Sequence, residues 1–126
     1  ERCASNLEKL VSERGCLTEL DAVNILKQVV AGYMHLLSCG IVHRDINYKT
    51  IYPNGVAKLG DFGISDVPGF PFLGFKTLPY SSPESLSKKS VLTDKSDVWS
   101  LGILFYCLVH GVFPWGFKER ISSKDY

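Results

Sequence analysis

Apolar residues recur every three or four positions between Thr18 and Ser38: Ala22, Ile25, Leu26, Val29, Val30, Tyr33, Leu36 and Leu37. That period predicts a helix with one face on a core. Thr18 followed by Asp21 resembles a capping box, with Asp in place of the longer Glu, and Gly40 stands where a C-terminal cap belongs. Two short β-like runs follow, Ile51-Tyr52 and Val56 to Leu59, separated by Asn54-Gly55. Both residues tolerate positive φ, so the pair predicts a hairpin with a two-residue type I′ turn. From Ser65 to Lys88, Pro68, Gly69, Pro71, Gly74, Pro79 and Pro83 interrupt every period, which predicts a long irregular loop of functional use. Val98 to Val109 is apolar nearly all round, follows the polar Thr93-Asp94-Lys95-Ser96 and stops at Gly111. It predicts a buried central helix over about 94–110. The stretch 116–126 is polar, and no internal repeat or low-complexity tract occurs.

Composition narrows the picture little. The 126 residues fit one domain with a modest core. A hydrophobic share of 45% and a charged share of 21% are those of an ordinary globular chain. With 14 basic and 13 acidic residues the net charge is +1, so no nucleic-acid or membrane partner is expected. The apolar run Leu101 to Val109 is too short to span a bilayer. Cys3, Cys16, Cys39 and Cys107 form no CxxC pair, which predicts free thiols and an intracellular, cytoplasmic setting. The chain begins at Glu1 rather than Met, and the expectation is a piece of a longer protein, for which a missing signal peptide says little.

The candidate chemistry lies in His43-Arg44-Asp45, Asp61-Phe62-Gly63, Ser82-Pro83-Glu84 and the run DVWSLG from Asp97 to Gly102. Any one of these strings is weak evidence. In this order and with these gaps the set resembles the eukaryotic protein kinases. The resemblance implies an α+β, mainly α fold, the kinase-like C-terminal lobe, with the N-terminal lobe and the last C-lobe helices absent. Residues 1–126 are then a partial kinase domain with a catalytic loop at 43–50 and an activation segment at 61–84. ATP and Mg²⁺, or Mn²⁺, are the implied cofactors, and a protein is the implied substrate. The N-terminal lobe would come only from the parent chain.

Phosphoryl transfer is mostly positioning and charge neutralisation. The resemblance implies that Asp45 orients the substrate hydroxyl and takes its proton, while Asp61 holds Mg²⁺ on the phosphates. Phe62 would pack as a switch, and Gly63 would let the loop turn. His43 opens the loop, Asp97 would brace its backbone, and Arg44 would pair with a phosphate on the activation segment. Thr77, seven residues before Glu84, matches the threonine by which Ser/Thr kinases support the catalytic Asp, which favours Ser/Thr over Tyr substrates. Glu84 would be buried against an Arg beyond this chain. Breaking such a pair costs about 3–5 kcal/mol, so the chain alone is expected to be fragile and inactive.

Several positions depart from the family pattern. Asn47 stands where a Lys usually contacts the transferring phosphoryl. Lys49 occupies a slot where tyrosine kinases often carry a base, and its charge could compensate. Thr50 replaces the Asn that binds the second Mg²⁺, and a hydroxyl is a weaker ligand for an ion that demands near-ideal octahedral geometry. Asn47 and Thr50 are therefore candidate cofactor contacts beside Asp61, with Asp61 and Thr50 the candidate metal ligands. Nothing before His43 resembles G-x-G-x-x-G or the strand Lys of V-A-I-K. Two functions follow: a Ser/Thr protein kinase, or a pseudokinase acting as a scaffold or regulatory module. No Ser, Thr or Tyr lies between Asp66 and Lys76, where Phe70, Phe72 and Phe75 predict a loop held by apolar packing. Only Ser65 and Thr77 flank it as phosphate acceptors. His35 and His110 read as helix-surface or satisfied core histidines rather than ligands, Trp99 and Trp115 as core and anchor, and Lys88-Lys89 as a solvated pair.

Overall fold

In the computed structural model the described residues are 3, 5–69, 77–86 and 93–115. Their order is α1 (Leu7–Arg14), α2 (Glu19–Ser38), β1 (Ile51–Asn54), β2 (Val56–Leu59) and α3 (Asp94–His110), with short 3-10 turns at Tyr48–Thr50, Leu78–Tyr80 and Pro83–Leu86. The fold is helical with one small two-stranded sheet among these residues. Phe70, Phe72, Phe75, Lys88, Lys89 and the stretch 116–126 lie outside them.

The sequence reading named no helix at α1. Asn6 caps it by accepting the Lys9 N–H at 3.2 Å, and Gly15 ends it at φ 74°. Leu7 is fully buried, with Leu10 and Val11 packed behind it on the same stripe.

α2 follows its period. Thr18 Oγ1 accepts the Asp21 N–H at 3.2 Å and donates to Asp21 Oδ2 at 2.8 Å. The short Asp thus takes the hydroxyl proton where a Glu would reach the cap backbone. Ala22, Val29 and Tyr33 form the buried stripe. At the other end Gly40 is left-handed at φ 72°, with Gly40 N–H on Leu37 O (2.9 Å) and Ile41 N–H on Leu36 O (3.0 Å). That double bond pattern is a Schellman stop.

The hairpin corrects its expected turn. The register pairs Asn54 with Val56 and Pro53 with Ala57, leaving Gly55 alone at the tip with φ 74°. One residue turns the chain, not two. The Ala57 N–H donates to Gln28 Oε1 at 2.6 Å, which ties the sheet to α2.

α3 is also corrected in part. Thr93 caps it, accepting the Lys95 N–H at 3.3 Å, and Gly111 closes it at φ 71° with its N–H on Cys107 O. Its buried residues include Asp97, Leu101, Leu104 and Leu108, but Val98 is 53% exposed and Tyr106 37%. Burial is one-sided, although the residues are apolar all round. Leu7, Val29, Tyr33, Ile46, Ile51, Leu104 and Leu108 meet in one core joining the three helices to the hairpin. Each buried Leu or Ile there contributes roughly 1.5–3 kcal/mol. Trp99 stacks on Trp115, centroids 6.3 Å apart and planes 13° from parallel. Cys3, Cys16, Cys39 and Cys107 are free thiols. Among the described residues no helix is long and apolar enough to cross a membrane.

Candidate active site

The first turn of α3 delivers Asp97 to the loop after α2. Its carboxylate is 1% exposed and accepts two backbone N–H groups, His43 on Oδ2 at 2.7 Å and Arg44 on Oδ1 at 2.8 Å. Burial pushes this carboxyl above its ordinary range, and the two N–H donors oppose the shift. Burial, reinforced by Asp97, likewise pushes the neighbouring Tyr33 phenol up. Arg44 is held at φ 73°, a left-handed conformation costing a non-glycine residue roughly 1–2 kcal/mol. The brace makes that conformation tenable.

His43 is fully buried and links two backbones. Its Nε2 lies 3.0 Å from Gly60 O, and its Nδ1 accepts the Asp45 N–H at 3.3 Å. A carbonyl only accepts, so the ring carries its proton on Nε2. One imidazole thereby ties Asp45 to the residue before Asp61. Phe62, 49% exposed, sits edge-on to the same ring at 5.4 Å. The left-handed residue of this turn is Asp61 itself, at φ 62°. A Cβ at Gly63 would make only an ordinary 3.5 Å contact with Asp61 Oδ1, so space does not require the glycine expected to turn the loop.

The Asp45 carbonyl is held as firmly as its N–H. It accepts from Thr50 Oγ1 at 3.0 Å and from Asn47 Nδ2 at 3.0 Å. Thr50 Oγ1 also accepts the Asn47 N–H at 3.1 Å, and Asn47 Oδ1 accepts the Lys49 N–H at 2.8 Å. Asn47 and Thr50, 3% and 1% exposed, therefore cap each other inside the loop. The polar atoms of both, expected to contact cofactor or metal, here bond the loop's own backbone. Thr77 Oγ1 lies 3.5 Å from Asn47 Nδ2, so it meets the loop through Asn47 rather than through Asp45.

Charges around the loop are also engaged. Lys49 is exposed, with Nζ 3.7 Å from Glu8 on α1. The Arg44 side chain, 4% exposed, reaches Asp66 Oδ2 at 3.1 Å and Val67 O at 3.2 Å. Sequence reasoning missed Asp66. The signal was an acid five residues after Asp61, but its meaning required the antiparallel bridge Val42–Asp66, which brings the two segments together. Ser65 Oγ donates to His43 O at 3.1 Å across the same seam. Glu84 is exposed and accepts from Ser96 Oγ at 3.3 Å. The expected burial penalty at Glu84 is therefore absent, since solvent reaches its carboxylate.

Asp61 borders an open cleft of about 520 Å³ with Tyr52, Lys58, Phe62 and Cys3. Asp45 borders a separate polar cavity of about 20 Å³ with Thr77 and Ser82. No cluster of three or more His, Cys, Asp or Glu side chains gathers for a metal among the described residues. Mg²⁺ needs no such cluster, because it is commonly held by one or two carboxylates together with phosphates and water. The exposed Asp61 fits that requirement.

Two buried backbone clamps thus hold Asp45, and the His43 ring ties it to a second Asp, Asp61, at the mouth of a cleft. The protein kinase domain family matches residues 1–125, and the chain belongs to it. The chain is similar to NUAK family SNF1-like kinase 2 of Rattus norvegicus, 37% identical over 96% of this chain and 21% of the relative. Serine/threonine-protein kinase PSK1 of Saccharomyces cerevisiae is 37% identical over 95% of this chain and 9% of its own length. A calcium and calcium/calmodulin-dependent serine/threonine-protein kinase of Pisum sativum is 36% identical over 77% of this chain and 20% of its own. The chain thus spans about a fifth or less of the length of these relatives.

Proposed function

We propose that this chain is the C-terminal-lobe part of a Ser/Thr protein kinase domain, with its catalytic loop at 43–50 and the start of its activation segment at 61. Asp45 orients a protein hydroxyl and accepts its proton as the γ-phosphoryl of ATP is transferred. The observation that carries this reading is the double clamp on the Asp45 peptide: N–H on His43, C=O under Thr50 and Asn47. Transfer gains most from a base held in place beforehand, because a pre-positioned group has little orientational freedom left to lose. The Asp97 brace holds the preceding two residues, so positioning extends from the core of α3 to the reacting carboxylate.

Asp61 is the residue that would hold Mg²⁺, which when bound neutralises phosphate charge. Thr50 is assigned to bracing rather than to the metal. The exposed Lys49–Glu8 pair is worth about 0–1 kcal/mol, so Lys49 is easily surrendered to a phosphoryl or substrate anion. The N-terminal lobe that covers ATP would be supplied by a longer parent chain.

The burial of Asn47 and Thr50 favours a second reading, a pseudokinase scaffold in which the loop is kept for shape. Radiolabelled ATP with Mg²⁺ or Mn²⁺, given to the full-length parent and to its Asp45→Ala variant, separates the two. Transfer lost in the variant supports the kinase; equally low incorporation in both removes it and leaves the scaffold.

A further inference from the structure

The cavity of about 20 Å³ lies where the loop 43–50, the segment 77–86 and α3 meet. Ser82, Ser85, Ser96, Asp97 and Ser100 in its walls are each more than nine-tenths buried. Most of these hydroxyls already donate within the protein. Ser85 Oγ donates to Ser82 O at 2.6 Å, Ser100 Oγ to Tyr80 O at 2.8 Å and Ser96 Oγ to Glu84 Oε1 at 3.3 Å. Ser82 Oγ is the exception: it is as deeply buried, yet it meets no hydrogen-bonding partner among the described residues. A hydroxyl withdrawn from water without a partner destabilises the fold that buries it.

We infer that this cavity is a binding site for one resident water molecule, held by Ser82. A water needs roughly 10–15 Å³ of such space, so the volume suits it. The chemistry suits it as well, because water both accepts and donates. It takes the Ser82 hydroxyl proton and gives its own to acceptors in the same wall, the Asp97 and Asp45 carboxylates. Asp97 keeps lone pairs for this beyond those that take the His43 and Arg44 N–H groups. Two to four polar partners are what a buried water requires. Mg²⁺ does not fit the same space, since it keeps several waters of its own. The water joins Ser82 to the loop that carries Asp45, a junction otherwise made by the 3.5 Å contact of Thr77 with Asn47. The site stands whether the loop transfers phosphate or is kept for shape.

In the 126-residue chain, Ser82→Ala changes stability in opposite directions for a held and an orphaned hydroxyl. A hydroxyl bonded to water loses that bond on truncation, so the thermal midpoint should fall by about 2–5 °C. An orphaned hydroxyl is better removed, and a midpoint that stays or rises overturns the inference. Magnetic relaxation dispersion of the solvent oxygen counts long-lived waters directly. Ser82→Val puts apolar bulk into the cavity and should release one such water relative to the wild type. An unchanged count overturns the site. Should Ser82→Val lose its native circular dichroism, Ser82→Thr replaces it. Its added methyl takes up about the volume of one water, so the same single release is expected, and no release again overturns the site.

Discussion

Replacing Asp97 by Ala should remove the brace beneath the whole candidate site. Two buried N–H donors, on His43 and Arg44, would lose their acceptor, and each orphaned donor costs about 1–3 kcal/mol. Relaxation of the left-handed Arg44 returns roughly 1 kcal/mol of that. The net loss is about 3 kcal/mol, a large part of the roughly 5–15 kcal/mol typical of a domain. In urea followed by far-ultraviolet circular dichroism, the midpoint should fall by about 1–3 M for a slope of about 1–3 kcal/mol/M. Asp97→Asn keeps one acceptor and should lose about half as much free energy. Hydrogen exchange checks the mechanism, because the His43 and Arg44 amides should lose protection beyond the global change. If the midpoint falls while those two amides keep their relative protection, the brace is not what Asp97 contributes. A pH series gives a second, signed check. Burial raises the Asp97 carboxyl in the folded state, so the folded chain binds that proton more tightly than the unfolded chain does. This group's contribution to stability therefore declines as pH rises through the window between the two values. The stability gap between wild type and Asp97→Asn should widen as pH is lowered through that window; a narrowing gap would mean that the two N–H bonds outweigh burial.

Thr50→Val keeps the volume but orphans the Asn47 N–H, and should cost about 1–3 kcal/mol by thermal unfolding, with Thr50→Ser close to wild type. Asp66→Asn removes the anionic partner of a nearly buried guanidinium; because Asp66 is itself 45% exposed, about 1–2 kcal/mol is expected, along with faster limited proteolysis near 64–69. Glu84→Gln should change stability by no more than about 0.5 kcal/mol, since the side chain is exposed, and a larger loss in a denaturant titration would restore a buried role for it.

The parts of the fold legible in the sequence were those with long periods or local caps. The α2 stripe and its Gly40 stop, and the Thr93 to Gly111 limits of α3, rest on contacts two to five residues apart. α1 escaped notice because eight residues carry only Leu7, Leu10 and Val11 as a stripe. Asn54-Gly55 marked the turn, but the register that leaves Gly55 alone is set by strand pairing and by Gln28 of α2. At the site, chemistry was read from side-chain type, whereas direction decided the outcome. Thr50 has a ligand-like oxygen that points into its own loop. Arg44 finds Asp66 because strand bridging, not spacing, brings 44 and 66 together.

The Trp99–Trp115 stack makes this chain its own optical reporter. These are the only two tryptophans in the sequence, and both stand at one corner, where α3 meets the stretch after Gly111. Indole fluorescence therefore follows that corner alone, while circular dichroism at short wavelength averages over the helical backbone, α1, α2 and α3 included. Coincident midpoints from the two signals would mean that this corner unfolds together with the rest of the helices, as a two-state domain requires. Divergent midpoints would reveal a corner that melts separately, without any label being attached.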